Sequence, residues 1–174
     1  MKSWVIVNLF FLLGGCVSGA QINWNKLEEI SPLITIEQDE YQKGTNYIGP
    51  PCGQPDCTQS AGDYVRLRAW KPDNSPETAY QIYVSDSYGK GWRFYEKAHD
   101  SDGKNMDIIT ISKHVTACGP MDCTFHELVG LNINRAYLQA HKSSGLRFQI
   151  SGVGGKGAFS LPATYIVAFL NAVK

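Results

Sequence analysis

Tyr64-Val65-Arg66-Leu67-Arg68-Ala69-Trp70 sets apolar Val65, Leu67 and Ala69 in alternation with Tyr64, Arg66, Arg68 and Trp70. Successive side chains of an extended chain point to opposite faces, so this stretch predicts a half-buried strand with its aromatic and guanidinium groups outward. The pattern recurs downstream. Lys71 to Glu77 holds two prolines and Asp73-Asn74 and reads as a turn. Tyr80-Gln81-Ile82-Tyr83-Val84 is a second strand, closed at Ser87-Tyr88-Gly89-Lys90-Gly91. Trp92 to His99, Asp107 to Val115 and Cys123 to Ile133 give a third, fourth and fifth. Leu146, Phe148 and Ile150 mark a sixth, and the glycines of 152–157 turn it into a seventh ending near Leu161. Short strands separated by Gly, Pro and Asp turns indicate an antiparallel sheet.

Two helices interrupt the strands. Asn134 can cap Arg135 to Lys142, with Gly145 beyond the C-terminal end. Pro162 suits a first helical position, and Ile166, Phe169, Leu170 and Val173 then form one apolar stripe. The expected fold is mainly β, an antiparallel sandwich or barrel-like sheet with a short helix and a C-terminal helical cap; α+β is the alternative. Upstream, residues 38–63 are rich in turn formers, including Gly49-Pro50-Pro51, and carry the first Cys loop. Trp24, Leu27 and Ile30 have helical spacing, ended by Pro32. The organisation read from this is a signal peptide at 1–15, a lipid-anchored tether at 16–31 and one disulfide-braced β-rich domain at 32–174.

Four cysteines fall into two matching hexapeptides, Cys52-Gly53-Gln54-Pro55-Asp56-Cys57 and Cys118-Gly119-Pro120-Met121-Asp122-Cys123. Four thiols allow three pairings. Gly and Pro in each loop can turn the chain back, so the local pairs Cys52–Cys57 and Cys118–Cys123 come first; cross-pairing between the hexapeptides is the alternative. A thiol oxidoreductase would want Cys-x-x-Cys at a helix start. Four-cysteine zinc fits the spacing but not an oxidising compartment.

The fifth cysteine lies at the start of the chain. Lys2 precedes an apolar run, Trp4 to Leu13, interrupted only by Asn8. Ten residues make roughly 15 Å of helix, half a hydrocarbon core, which fits a signal peptide rather than a membrane span. Leu13-Gly14-Gly15-Cys16 resembles the lipobox of bacterial lipoproteins, which implies cleavage before a lipid-bearing Cys16 and attachment to a membrane through that lipid. Val17 in place of Asp implies the outer membrane, facing the periplasm. Ser18-Gly19-Ala20 also satisfies ordinary cleavage, which would leave a soluble periplasmic or secreted protein. From Cys118 to Val173 the order is Cys pair, strand, short helix, strand, Gly turn, then Ser160-Leu161-Pro162 opening an Ala/Phe-rich helix. This is similar to the C-terminal half of the invasion-associated locus B family of small exported β proteins, over about a third of the chain. The resemblance implies an exported β domain and carries over no functional residue.

The 174 residues hold 16 basic and 16 acidic side chains, and this balance lacks the footprint of a nucleic-acid binder. His126-Glu127 opens like a zinc-protease motif but lacks the second His, and His126 is expected on the solvent side of its strand. Asp100-Ser101-Asp102-Gly103-Lys104-Asn105 is rich in oxygen ligands, yet its spacing departs from a calcium loop and suits a hairpin turn. Ser151-Gly152-Val153-Gly154-Gly155-Lys156-Gly157 has the wrong spacing for a phosphate loop and also suits a hairpin. No cofactor, metal ligand set or catalytic residue is assigned.

What remains is a surface. Tyr64, Arg66, Arg68 and Trp70 share one strand face, and Tyr80, Tyr83, Tyr88, Trp92 and Tyr95 follow them in sequence. Amphipathic rings with Arg are the residues favoured in binding hot spots. The plainer reading is that they cover the outside of the sheet or pack under the C-terminal helix. Two functions follow as expectations: a non-catalytic envelope module binding a protein or glycan, or a periplasmic hydrolase of an envelope glycan using carboxylates such as Glu96, Asp100 and Glu127.

Overall fold

The structure, a computed structural model, describes residues 21–120 and 122–174. In chain order its elements are α1 (Leu27–Ile30), a 3-10 turn (Ser31–Leu33), β1 (Thr35–Asp39), β2 (Gly44–Ile48), β3 (Tyr64–Pro72), β4 (Ala79–Tyr88), β5 (Tyr95–Asp100), β6 (Asn105–Cys118), β7 (Cys123–Ile133), α2 (Arg135–Ala140), β8 (Leu146–Gly152), β9 (Gly155–Leu161) and α3 (Ala163–Ala172). All nine strands join one antiparallel sheet in the order β1-β2-β3-β4-β7-β6-β5-β8-β9. The sheet bends over on itself along β6. Asn105 and Met106 pair with His99 and Ala98 of β5, whereas Asp107 to Cys118 pair with β7. The result is mainly β, sandwich-like and not closed. On the far side, Ser160 N donates to Cys57 O at 2.9 Å, bringing β9 beside the loop that precedes β3.

Period-two alternation fills the interior. Val65 and Leu67 of β3, Ile82 and Val84 of β4, and Val129 and Leu131 of β7 are fully buried, with Leu146, Ile150 and Leu161 from the other leaf. Each such side chain contributes about 1.5–3 kcal/mol through removal from water. α3 closes the open end with Tyr165, Ile166 and Phe169, all fully buried. Arg135 of α2 grips its C-terminus, donating to Leu170 O and Val173 O, where a cation is favoured by the helix dipole. Asn134 Oδ1 caps α2 by accepting from Tyr137 N at 2.8 Å, as its position before the helix requires.

Three features differ from the sequence expectations. Trp24 and Ile30 are buried, and the Trp24 ring lies 5.1 Å from that of Tyr165, so residues expected to form a tether are part of the core. β2 lies within the stretch 38–63 read as rich in turn formers, and β1 runs into its start from a stretch given no strand. β1 is exposed along nearly its whole length, so backbone pairing rather than an apolar face makes it a strand. β5 begins at Tyr95 instead of Trp92 because Phe94 takes a left-handed conformation, φ 53°, which interrupts extended chain.

Both disulfides are local. Cys52–Cys57 is buried, and Cys52 bridges to Val65 of β3; Cys118–Cys123 links directly paired residues of β6 and β7. Cys16 lies outside the described residues.

Candidate functional site

The register places Arg66 beside Tyr83, Arg68 beside Gln81, and Gln81 beside Asn132, which in turn pairs with Asp107 of β6. These residues share the outer face, opposite Leu67 and Ile82. Tyr64 and Tyr83 stack at 6.2 Å. The Arg66 guanidinium lies 4.7 Å from the Tyr64 ring centroid and 5.8 Å from that of Tyr83. Arg68 lies 4.7 Å from Tyr83 and 5.8 Å from Trp70. Cations and rings therefore interleave along two strands. The expected face of Tyr64, Arg66, Arg68 and Trp70 is thus assembled as one surface, with the first three half-buried and Trp70 36% exposed. It does not pack under the C-terminal helix: Tyr165 of α3 bonds the β3 backbone at Leu67, amid the buried side of the strand.

Sequence alone did not reveal how this face is ordered. Arg68 Nε donates to Gln81 Oε1 at 2.7 Å, Gln81 Nε2 to Asn132 Oδ1 at 2.8 Å, and Asn132 Nδ2 to Asp107 Oδ2 at 2.7 Å. This relay crosses four strands. It requires Gly130, because a Cβ there would sit 2.4 Å from the Gln81 amide carbon. At one end Arg68 and Trp70 border a groove of about 350 Å³ with Gln42, Asn46 and Ile48. At the other, Asp107 and Asn132 border a depression of about 260 Å³ with Lys104 and Tyr137. Burial lowers the Arg68 pKa, and the adjacent Arg66 charge adds to that.

Of the other rings expected here only Tyr83 joins the face. Tyr80, Tyr88 and Tyr95 are buried in the core, and Trp92 packs edge-on against Phe125 at 4.9 Å. Their interior positions follow from period two: Tyr80, Ile82, Val84, Asp86 and Tyr88 share the inward side of β4. His126 sits on the outer side, as expected, but is not free in solvent. Its Nε2 is 2.9 Å from Ser85 Oγ, its Nδ1 is buried without a partner among the described residues, and its ring is 4.6 Å from that of His114. Burial first, then His114, lowers its pKa.

A second polar arrangement lies inside, and sequence reasoning found only one of its members. Asp63, Asp86 and Glu127 are buried. Asp86 accepts from the Tyr95 hydroxyl and from Arg93 Nη1, the latter at 2.7 Å. Glu127 accepts from the Tyr88 hydroxyl, from Phe94 N at 2.8 Å and from Tyr95 N at 3.0 Å. Asp63 accepts from Ser87 N at 2.8 Å; burial first, then the neighbouring Asp86 carboxyl, push it up to about 7. Asp86 and Glu127 fasten the start of β5 to β4 and β7, and both Glu127 oxygens are taken up by protein donors.

The proposed hydrolytic carboxylates sit in different surroundings. Glu96 is exposed, Glu127 is in the cluster just described, and Asp100 accepts from Tyr137 Oη at 2.7 Å and from Asp102 N and Lys104 N of its own turn. That turn is the hairpin expected in place of a calcium loop. The chain matches no protein-family model, and no match to it was found among curated proteins or solved structures.

Proposed function

We propose that this chain is an exported, non-catalytic module of the cell envelope that holds a protein or glycan partner on the outer face of β3 and β4. The observation that carries this reading is the interleaved Tyr64, Arg66, Tyr83, Arg68 and Trp70 surface, half-buried apart from exposed Trp70 and on the opposite side of the sheet from α3. Rings held by stacking and guanidiniums held by rings lose little side-chain freedom on binding, which is how anchor residues work. The buried acids support it over hydrolysis: a catalytic acid must reach substrate, and Glu127 and Asp100 are spent on the protein's own donors.

Two disulfides fit an oxidising, exported compartment, and no described helix is long and apolar enough to cross a membrane. In this reading Cys16 carries the lipid, and the protein faces the periplasm from the outer membrane; cleavage after Ala20 would release it instead.

The deciding experiment compares capture of an envelope partner by the wild-type protein and by Arg66→Ala/Trp70→Ala. Capture should fall while the melting temperature holds. A melting temperature lowered as by a core cavity would make the face structural. Glu96→Gln, Asp100→Asn and Glu127→Gln are the counter-test: activity on an envelope glycan that these changes abolish, with folding kept, would favour the hydrolase. Cys16→Ser should abolish fatty-acid labelling.

A further inference from the structure

Arg66 and Arg68 stand two residues apart on one face, and among the described residues neither lies within 4.0 Å of a carboxylate. Arg66 donates no hydrogen bond to any described residue, and its Nε is buried without an acceptor. Arg68 uses Nε alone, on Gln81. Each guanidinium presents five N–H donors in a planar fork. Rings, not acids, hold both in place. The formal charge of the whole chain is zero, so this is a local excess of positive charge rather than part of a basic surface. Its complement is an oxyanion, for which the guanidinium fork is the matching donor.

The groove beside Arg68 narrows the occupant further. Trp70 offers an indole surface, Gln42 and Asn46 offer amides, and Ile48 gives an apolar wall. At about 350 Å³ the groove lies within the usual range of small-ligand sites, ~300–1,000 Å³. A pyranose has a C–H face to lie on an indole and hydroxyls for amides to bond. The relay through Gln81 and Asn132 to Asp107 keeps the Gln81 oxygen on Arg68, so that the remaining Arg68 donors stay available.

We propose that this face binds a sugar bearing an oxyanion, the ring seated against Trp70 and the carboxylate or phosphate on Arg66 and Arg68. The proposal rests on the binding-module reading and names its ligand class. The test is titration of the full chain at low ionic strength with glucuronate, glucose 6-phosphate, glucose and inorganic phosphate, read by calorimetry and by the Trp70 indole N–H resonance. The two anionic sugars should bind and shift that resonance, their ratio reporting which oxyanion is preferred. Glucose should bind more weakly by about tenfold or more, as loss of a charge-assisted bidentate contact requires. Arg66→Gln and Arg68→Gln should each lose a similar factor. Arg66→Lys, which keeps the charge but not the fork and leaves the relay intact, should lose several-fold with its melting temperature unchanged. Inorganic phosphate binding as tightly as glucose 6-phosphate would overturn the sugar; glucose binding as tightly as glucuronate would overturn the oxyanion. No binding of either anionic sugar, with capture still lost in Arg66→Ala/Trp70→Ala, overturns this ligand class and leaves the module standing. If capture too is unaffected, both readings fail.

Discussion

A single hydroxyl closes the gap where β2 leaves β3. Tyr165 Oη donates to Pro50 O at 2.7 Å and accepts from Leu67 N at 3.1 Å, in a fully buried position. Burial raises its pKa, so it stays protonated and able to donate. Tyr165→Phe keeps the ring but strands a buried N–H and a carbonyl; it should cost about 1–3 kcal/mol in urea unfolding, with the fold unchanged. Asp63 gives a pH dependence. Its folded pKa is raised from 3.8 to about 7, first by burial and then by Asp86, with Ser87 N and Arg93 opposing. Between those values the native state keeps a proton that the unfolded chain has released. The stabilisation is therefore complete below the unfolded pKa and lost as pH rises through the folded one. The melting temperature should fall from about pH 4 to about pH 7, and Asp63→Asn, which donates to Asp86 without titrating, should flatten that slope.

Among the elements, β3, β4 and β7 depend on one another through the outer relay. Gly130→Ala would push the Gln81 amide, which is 1% exposed and bonded at both ends, out of place. It should cost roughly 1–3 kcal/mol by thermal or urea unfolding, but little in a Gln81→Ser background, where nothing remains to collide with; the double-mutant cycle measures the coupling. β3 and β7 were legible in the sequence because burial of one face imposes alternation. β1 was not, because an edge strand with neither face buried leaves no periodic record. The acid cluster was half legible. Asp86 and Glu127 fall on the inward positions of strands whose alternation was recognised, yet Asp86 next to Ser and Tyr-Gly resembles a turn. Asp63 precedes its strand and shows no periodicity. The outer relay depends on side chains from β3, β4, β6 and β7 at once, and only the register reveals it.

For the molecule as a whole, a sheet of nine strands that does not close leaves β1 and β9 as its two edges. Pairings such as β4 with β7 join residues far apart in the chain, whereas both disulfides span a sequence separation of 5. That contrast bears on how the oxidised protein is reached. Cys57 and Cys118 are about sixty residues apart, so in an unstructured chain closing a cross-linked loop costs roughly 2 kcal/mol more than closing a local one, a factor of about 40. Correct thiol pairing is thus favoured before any sheet exists. Reduced and denatured protein, left to air oxidation in denaturant, should yield mainly Cys52–Cys57 and Cys118–Cys123 instead of an even spread over three connectivities, as peptide mapping would read. Disulfide isomerase should then accelerate recovery little, since few wrong bonds need reshuffling.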